Sequence, residues 1–208
     1  MSFPTRTTVI RLAGGLFVHS PTTFSPTLER QLQKLGSPRW IVGPNRIHYW
    51  WIPDWKDAYP GSDIYLAPHI REQSKGRINF AAHALSGKSG YPWDDELATL
   101  PVEGSYMTEF EFFHSESRTL VLTDLIENFE SSRLNGRLMR FLTWLGGVQD
   151  PHGSMPRDMK MTFLSGDLKA AVEQMIEWNP ERIILAHGRW YKSDGARELH
   201  RAFAWLLR

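Results

Sequence analysis

The sequence predicts a mixed α/β fold, and three observations carry that prediction. Residues 39–42 and 63–67 are short apolar strands separated by a helical stretch, the pattern of a parallel strand–helix–strand unit. Residues 109–112 and 118–123 lie on either side of a polar turn at Ser115, Glu116 and Ser117, as an antiparallel hairpin requires. In the last third an amphipathic helix, an apolar strand and a final helix follow one another.

The elements read in order as follows. Residues 8–12 and 16–18 form a hairpin about Gly14 and Gly15. Ser25 caps a helix that begins at Pro26, keeps Leu28, Leu32 and Leu35 on one face, and stops at Gly36. The strand at 39–42 ends at Gly43-Pro44. The aromatic stretch 49–59 is loop then helix, closed by Pro60-Gly61, and the strand at 63–67 stops at Pro68. After the central hairpin, residues 133–145 read as a helix and 146–157 as a loop, either an ordered lid or a mobile segment. Leu168, Ala171, Val172, Met175 and Ile176 mark one face of a helix ended by Asn179-Pro180. A strand at 182–186, a turn at His187-Gly188 and a helix over 195–207, with Asp194 as its cap, complete the chain.

The length of 208 residues suits one domain, expected to span residues 1–208. Lysine and arginine number 24 and aspartate and glutamate 23, a balance that gives no reason to expect nucleic acid or a membrane as partner. No apolar run approaches the roughly 18 residues that a membrane-spanning helix needs. Residues 1–11 do not read as a secretory signal, so a cytoplasmic location is expected. With no cysteine, disulfides and thiolate metal sites are excluded, and any metal must be held by imidazole, carboxylate, carbonyl or water. Oligomeric state stays open.

Three polar residues follow apolar strands: His48, Asp124 and His187. Strand ends are where an α/β scaffold presents functional side chains, and two imidazoles with one carboxylate suffice for a mononuclear metal site. Taken singly, an Asp after a strand also serves as a turn former, and a His as a hydrogen-bonded structural residue.

The order of the pieces narrows this. Leu16-Phe17-Val18-His19-Ser20-Pro21, Gly43-Pro44-Asn45-Arg46-Ile47-His48, and Trp55 with Ala58-Tyr59-Pro60 come first. Phe113-His114 with Ser117-Arg118-Thr119-Leu120, Thr123-Asp124-Leu125 and Ala186-His187-Gly188 follow. Together these resemble the metallo-β-lactamase-like superfamily, and more narrowly its uncharacterised DUF4336 branch. The resemblance implies an αββα sandwich of two mixed β-sheets with outer helices. It also implies a metal motif that this chain only partly keeps. Active members carry His-x-His-x-Asp-His; with His48 as the last histidine, the other three positions fall on Gly43, Asn45 and Ile47. The next family histidine, expected around Glu103-Gly104-Ser105, is missing, and His114 lies across the hairpin turn, too close to Asp124 to replace it. Asp124 matches the bridging aspartate and His187 the final histidine.

The resemblance therefore leaves two arrangements. One divalent metal (zinc, manganese or iron) is held by His48, Asp124 and His187, with Asn45 as a weak ligand or outer partner, or the three form a metal-free hydrogen-bonded cluster. The first gives a metallo-hydrolase-like protein in which His48, Asp124 and His187 position a water against an unidentified small molecule. The second gives a catalytically inactive binding or scaffolding protein of the same fold. His19, His114 and Arg46 are accessory candidates, His19 beside the cleft and Arg46 as a counter-charge for an anionic ligand. His69, His83, His152 and His200 read as solvated or structural. Trp50, Trp51 and Trp55 read as core more readily than as cleft walls.

Overall fold

A computed structural model describes residues 4–163 and 167–208. Two hairpin strands, β1 (Thr8–Leu12) and β2 (Gly15–His19), open a five-stranded sheet. It continues through β3 (Pro38–Gly43), β4 (Asp63–Leu66) and the short β5 (His83–Ala84), in sequence order. β1 runs antiparallel to β2, and β2 to β5 are parallel. The second sheet has the order β6 (Leu97–Glu103), β7 (Thr108–His114), β8 (Thr119–Leu122), β9 (Arg182–Leu185). Its first three strands are antiparallel, and β8 and β9 are parallel. Both sheets are mixed, as expected.

The sheets face each other across an aromatic core. Phe17 of β2 meets Phe112 of β7 and Trp93 edge-on, each at 4.9 Å between centroids, the T-shaped geometry that aromatic quadrupoles favour. Helices α1 (Pro26–Gln33), α2 (Ile52–Ala58) and α3 (Ile70–Gln73) add Leu32, Ile52, Trp55 and Ile70 to this core. The far face of the second sheet is covered by α6 (Leu168–Glu177) and α7 (Gly195–Ala202), whose Leu168, Val172, Met175 and Leu199, with Phe203 just past α7, pack with Leu120, Leu122 and Leu185. Between β8 and α6 come α4 (Arg137–Gly146) and α5 (Arg157–Phe163). Among the described residues, no helix is long and apolar enough to cross a membrane.

Several local expectations hold for their stated reasons. Ser25 caps α1, its side chain accepting from the Leu28 amide at 3.2 Å. Others are corrected. Leu35 lies past the end of α1 and is 46% exposed, so it does not join the buried face. Asp194 sits in the left-handed region and makes no side-chain cap, and α7 ends at Ala202. The helix expected from residue 133 starts at Arg137, because Gly136 at φ 87° breaks it from a preceding 3-10 turn at Ser131–Arg133. Strand β6 and helix α5 were not read, since Pro101 interrupts the first and the second is only seven residues long. Residues 146–157 are docked: Val148 O accepts from the Phe129 amide and Ser154 exchanges two backbone bonds with Glu127.

Candidate metal centre

β2, β3 and β4 share one direction and β8 shares one with β9, so side chains that follow these strands can meet at one end of the sandwich. Past β3 the chain turns sharply at Asn45, whose Oδ1 accepts from the amides of Ile47 (3.0 Å) and His48 (3.1 Å). That turn carries His48. Gly43, at the first position of the family motif, has no room for a side chain: a Cβ there would lie 2.9 Å from both Ile52 and Ile70. Asp124 follows β8, its amide donating to Glu109 at 2.8 Å. His187 follows β9 and is set by Gly188, at φ 82°, where a Cβ would meet the Asn128 carbonyl at 2.0 Å.

The three side chains converge. His48 Nε2 lies 3.1 Å from His187 Nε2 and 3.4 Å from Asp124 Oδ2, and His187 Nε2 lies 3.1 Å from Asp124 Oδ1. Ligands of a tetrahedral zinc, at 2.0–2.1 Å from the metal, stand about 3.3 Å apart. The two imidazoles already stand at about that spacing, whereas the carboxylate meets them through different oxygens; one ligand atom from each of the three residues lies within 4.8 Å of the others. The far ring nitrogens are also committed. His187 Nδ1 faces the Pro4 carbonyl at 3.0 Å, an acceptor only, so Nδ1 carries the proton and a neutral ring presents its Nε2 lone pair to the cluster. His48 Nδ1 meets the Ser20 hydroxyl at 2.6 Å. Anchoring of the outer nitrogen is how metal-binding histidines are oriented.

Electrostatics follow from burial and pairing. Burial would raise the Asp124 carboxyl, but the charge of His48 and hydrogen bonds from His187 and His48 hold it well below the usual range. Burial would lower His187, yet its hydrogen bond to Asp124, the charges of Asp124 and Glu127, and the Pro4 carbonyl carry it up to about 9. Without a cation, an imidazolium at His187 thus balances Asp124.

Three acids missed in the sequence surround this core. Phe112 pairs with Val121, and continuing that register by three residues sets Glu109 opposite Asp124. Glu109 accepts from the Asp124 and Leu125 amides with one oxygen and from Asn45 Nδ2 with the other, at 2.7 Å, while the same Nδ2 donates to Asp124 Oδ2 at 2.7 Å. Glu111 is equally buried. Burial, then the neighbouring acids, push both glutamates above their usual range. The Glu-Phe-Glu-Phe alternation puts Glu109 and Glu111 on one face of β7, and that face is buried. Glu127, raised to about 8 by burial and then by Asp124, is the third.

The accessory candidates separate. Asn45 belongs to the cluster. His19 lies under it, fully buried, 3.3 Å from the Thr123 hydroxyl and lowered to about 3 by burial and the nearby His48, so it is neutral. Arg46 turns away, donating to the Tyr106 carbonyl and Gln73 and stacking on the Tyr106 ring. His114 pairs with Thr119 at the start of β8, the opposite end from Asp124, and is bonded to Ser117. Ser105 is tied to the Thr162 carbonyl. Trp55 is core and Trp50 is 48% exposed; neither lines the cleft at Asp124.

That cleft has a volume of about 280 Å³. Ile47, Phe129, Met139, Leu142, Val148 and Met159 form its apolar walls, and Asp124, Glu127, Thr143 and Asp158 its polar lining.

Residues 1–135, well over half of the chain, match the profile of a family described as a domain of unknown function, DUF4336. The chain belongs to the DUF4336 family. His48 and Asp124 fall within the DUF4336 match and His187 beyond it. No curated protein matches the sequence significantly. Solved structures show the fold of this DUF4336 chain to be that of metallo-β-lactamases. The DIM-1 metallo-β-lactamase superposes with a TM-score of 0.61 at 12% identity, over 97% of this chain and 85% of that one. The Flv1 flavodiiron core from Synechocystis sp. PCC6803 gives 0.64 at 13% identity, over 98% and 52%. The mono-zinc form of metallo-β-lactamase FIM-1 from Pseudomonas aeruginosa gives 0.56 at 12%, over 98% and 84%.

Proposed function

We propose that this chain is a metallo-hydrolase-like protein with a degenerate site that holds at most one divalent cation and acts on a small molecule bound in the adjoining cleft. His48, Asp124 and His187 would hold the cation, with zinc, manganese or iron as the candidates. The observation that carries this is the triangle of two Nε2 atoms and a carboxylate at 3.1–3.4 Å, with both outer ring nitrogens anchored. A packing role alone asks for neither.

The rest of the family motif has been rebuilt. Gly43 fills a packed position, Ile47 removes a proton-accepting carboxylate, and the Asn45 amide places its two hydrogens between Glu109 and Asp124, where a second positive charge would otherwise be needed. Two-metal chemistry is thereby lost to this chain. A single cation bound here supplies a Lewis acid at the edge of the cleft. Asp124 stays ionised and orients both imidazoles, while the Ser20 hydroxyl and the Pro4 carbonyl hold their outer nitrogens.

The pre-bonded triad and the Asn45 bridge favour a second reading, a binding protein that kept the fold without catalysis. Metal content of untagged protein, measured by inductively coupled plasma mass spectrometry against a His48→Ala/His187→Ala double variant, separates the two. Near-stoichiometric metal that disappears in the variant supports the first. No metal in either, after incubation with zinc, manganese or iron, leaves the second.

A further inference from the structure

Glu127 lies on the cleft wall, its backbone clamped by two bonds to Ser154. Glu127 is half-buried, and among the described residues no donor meets its carboxyl. A half-buried carboxyl on an apolar wall, with no donor from the protein, is placed to pair with a ligand that enters the cleft. The rest of the lining indicates its charge. Asp158 and Asp124 are also acidic, and among the described lining residues there is no lysine, arginine or histidine. Arg46, the one base that the sequence offered as a counter-charge for an anion, is spent on Tyr106 and Gln73. Asp124 is already balanced by His187, so an anionic ligand would meet Glu127 and Asp158 with no base among the described lining residues, whereas a cationic head would pair with both.

The apolar walls settle the body of the ligand. They come from Ile47 on the Asn45 turn, Phe129, α4 (Met139, Leu142), Val148 and Met159 of α5. Leu142 is 40% exposed and opens the apolar surface to solvent. At about 280 Å³ the space sits near the lower end of ligand pockets, enough for a short chain or a single ring.

We propose that this cleft binds a ligand with an apolar body and a cationic head, the head pairing with Glu127 and Asp158. The inference rests on reading this cleft as the ligand site of the proposed function, and it does not need the metal.

The test uses the full chain treated with EDTA, titrated calorimetrically with n-octyltrimethylammonium, 1-octanol and octanoate. The ammonium is a permanent cation that cannot ligate a metal. It is expected to bind at least tenfold more tightly than octanol, and octanoate more weakly than either. Glu127→Gln should bring the ammonium down to the affinity of octanol while leaving octanol unchanged. Leu142→Arg, at a half-exposed position that tolerates a polar side chain, should abolish ammonium binding if Glu127→Gln does not fold. Equal affinity for ammonium and octanol, tighter binding of octanoate, or no binding of any probe overturns the proposal. Absence of metal in the purified protein would remove the metallo-hydrolase reading and leave these titrations unaffected.

Discussion

Asn45 bridges two buried carboxylates, and Asn45→Ala gives a stability change that can be worked from its bonds. Its Nδ2 donates to Glu109 and Asp124, both buried, at 2.7 Å each. Hydrogen bonds to charged groups contribute about 1.5–3 kcal/mol each, so losing two costs roughly 3–6 kcal/mol. Glu109 can take up a proton and each carboxyl keeps another partner, which places the loss near the lower end, about 3 kcal/mol. For a chain of this size that corresponds to a melting temperature lower by roughly 6–12 °C. The assay is calorimetry on EDTA-treated protein, with urea unfolding as a second measure. Asn45→Asp sharpens the test, since it keeps the shape and replaces the donor with another carboxylate. It should be at least as destabilised without metal and should recover with zinc, by about 2.7 kcal/mol when free zinc is a hundredfold above its dissociation constant. A decrease under about 1 kcal/mol for Asn45→Ala would refute the view that this amide holds the carboxylates together.

Two further outcomes follow from the same geometry. His187 is raised to about 9 in the folded protein from 6.5, so its stabilisation is complete below about pH 6.5 and is lost as pH rises through 9. Glu127, raised from 4.5 to about 8, has the same sign over that lower window. Stability of the metal-free chain to urea should therefore fall from pH 6.5 to 9, and bound zinc should remove the His187 part, because a ligating imidazole has already lost its proton. A flat profile in EDTA would contradict both shifts. Ser20→Ala removes the hydroxyl 2.6 Å from His48 Nδ1 and should weaken zinc binding about 10–100-fold in a chelator-competition titration. Unchanged affinity would mean that His48 is not a ligand.

The alternation of apolar strands with helices, the two hairpins and the cap at Ser25 were legible because each is a local consequence of period, turn chemistry and backbone freedom. The places of Asp124 and His187 directly after apolar strands, and of His48 a short loop after one, were legible for the same reason. His114 looked accessory by its nearness in sequence, yet strand direction carries it to the far end of β8 from Asp124.

Glu109, Glu111 and Glu127 were not legible, and the reason is physical. A period-2 pattern tells which residues share a face; whether that face meets water is decided by what packs on it. Only the pairing of β7 with β8 sets Glu109 opposite Asp124, and only the docking of residues 146–157 against residues 127–129 makes Glu127 a wall of the cleft. Sequence alone determined the mixed α/β fold, the three residues at strand ends and the absence of thiolate ligands. Their convergence on a single triangle, the Asn45 bridge and the acidic, apolar cleft were decided by tertiary structure, because each is a contact between segments of the chain far apart in sequence.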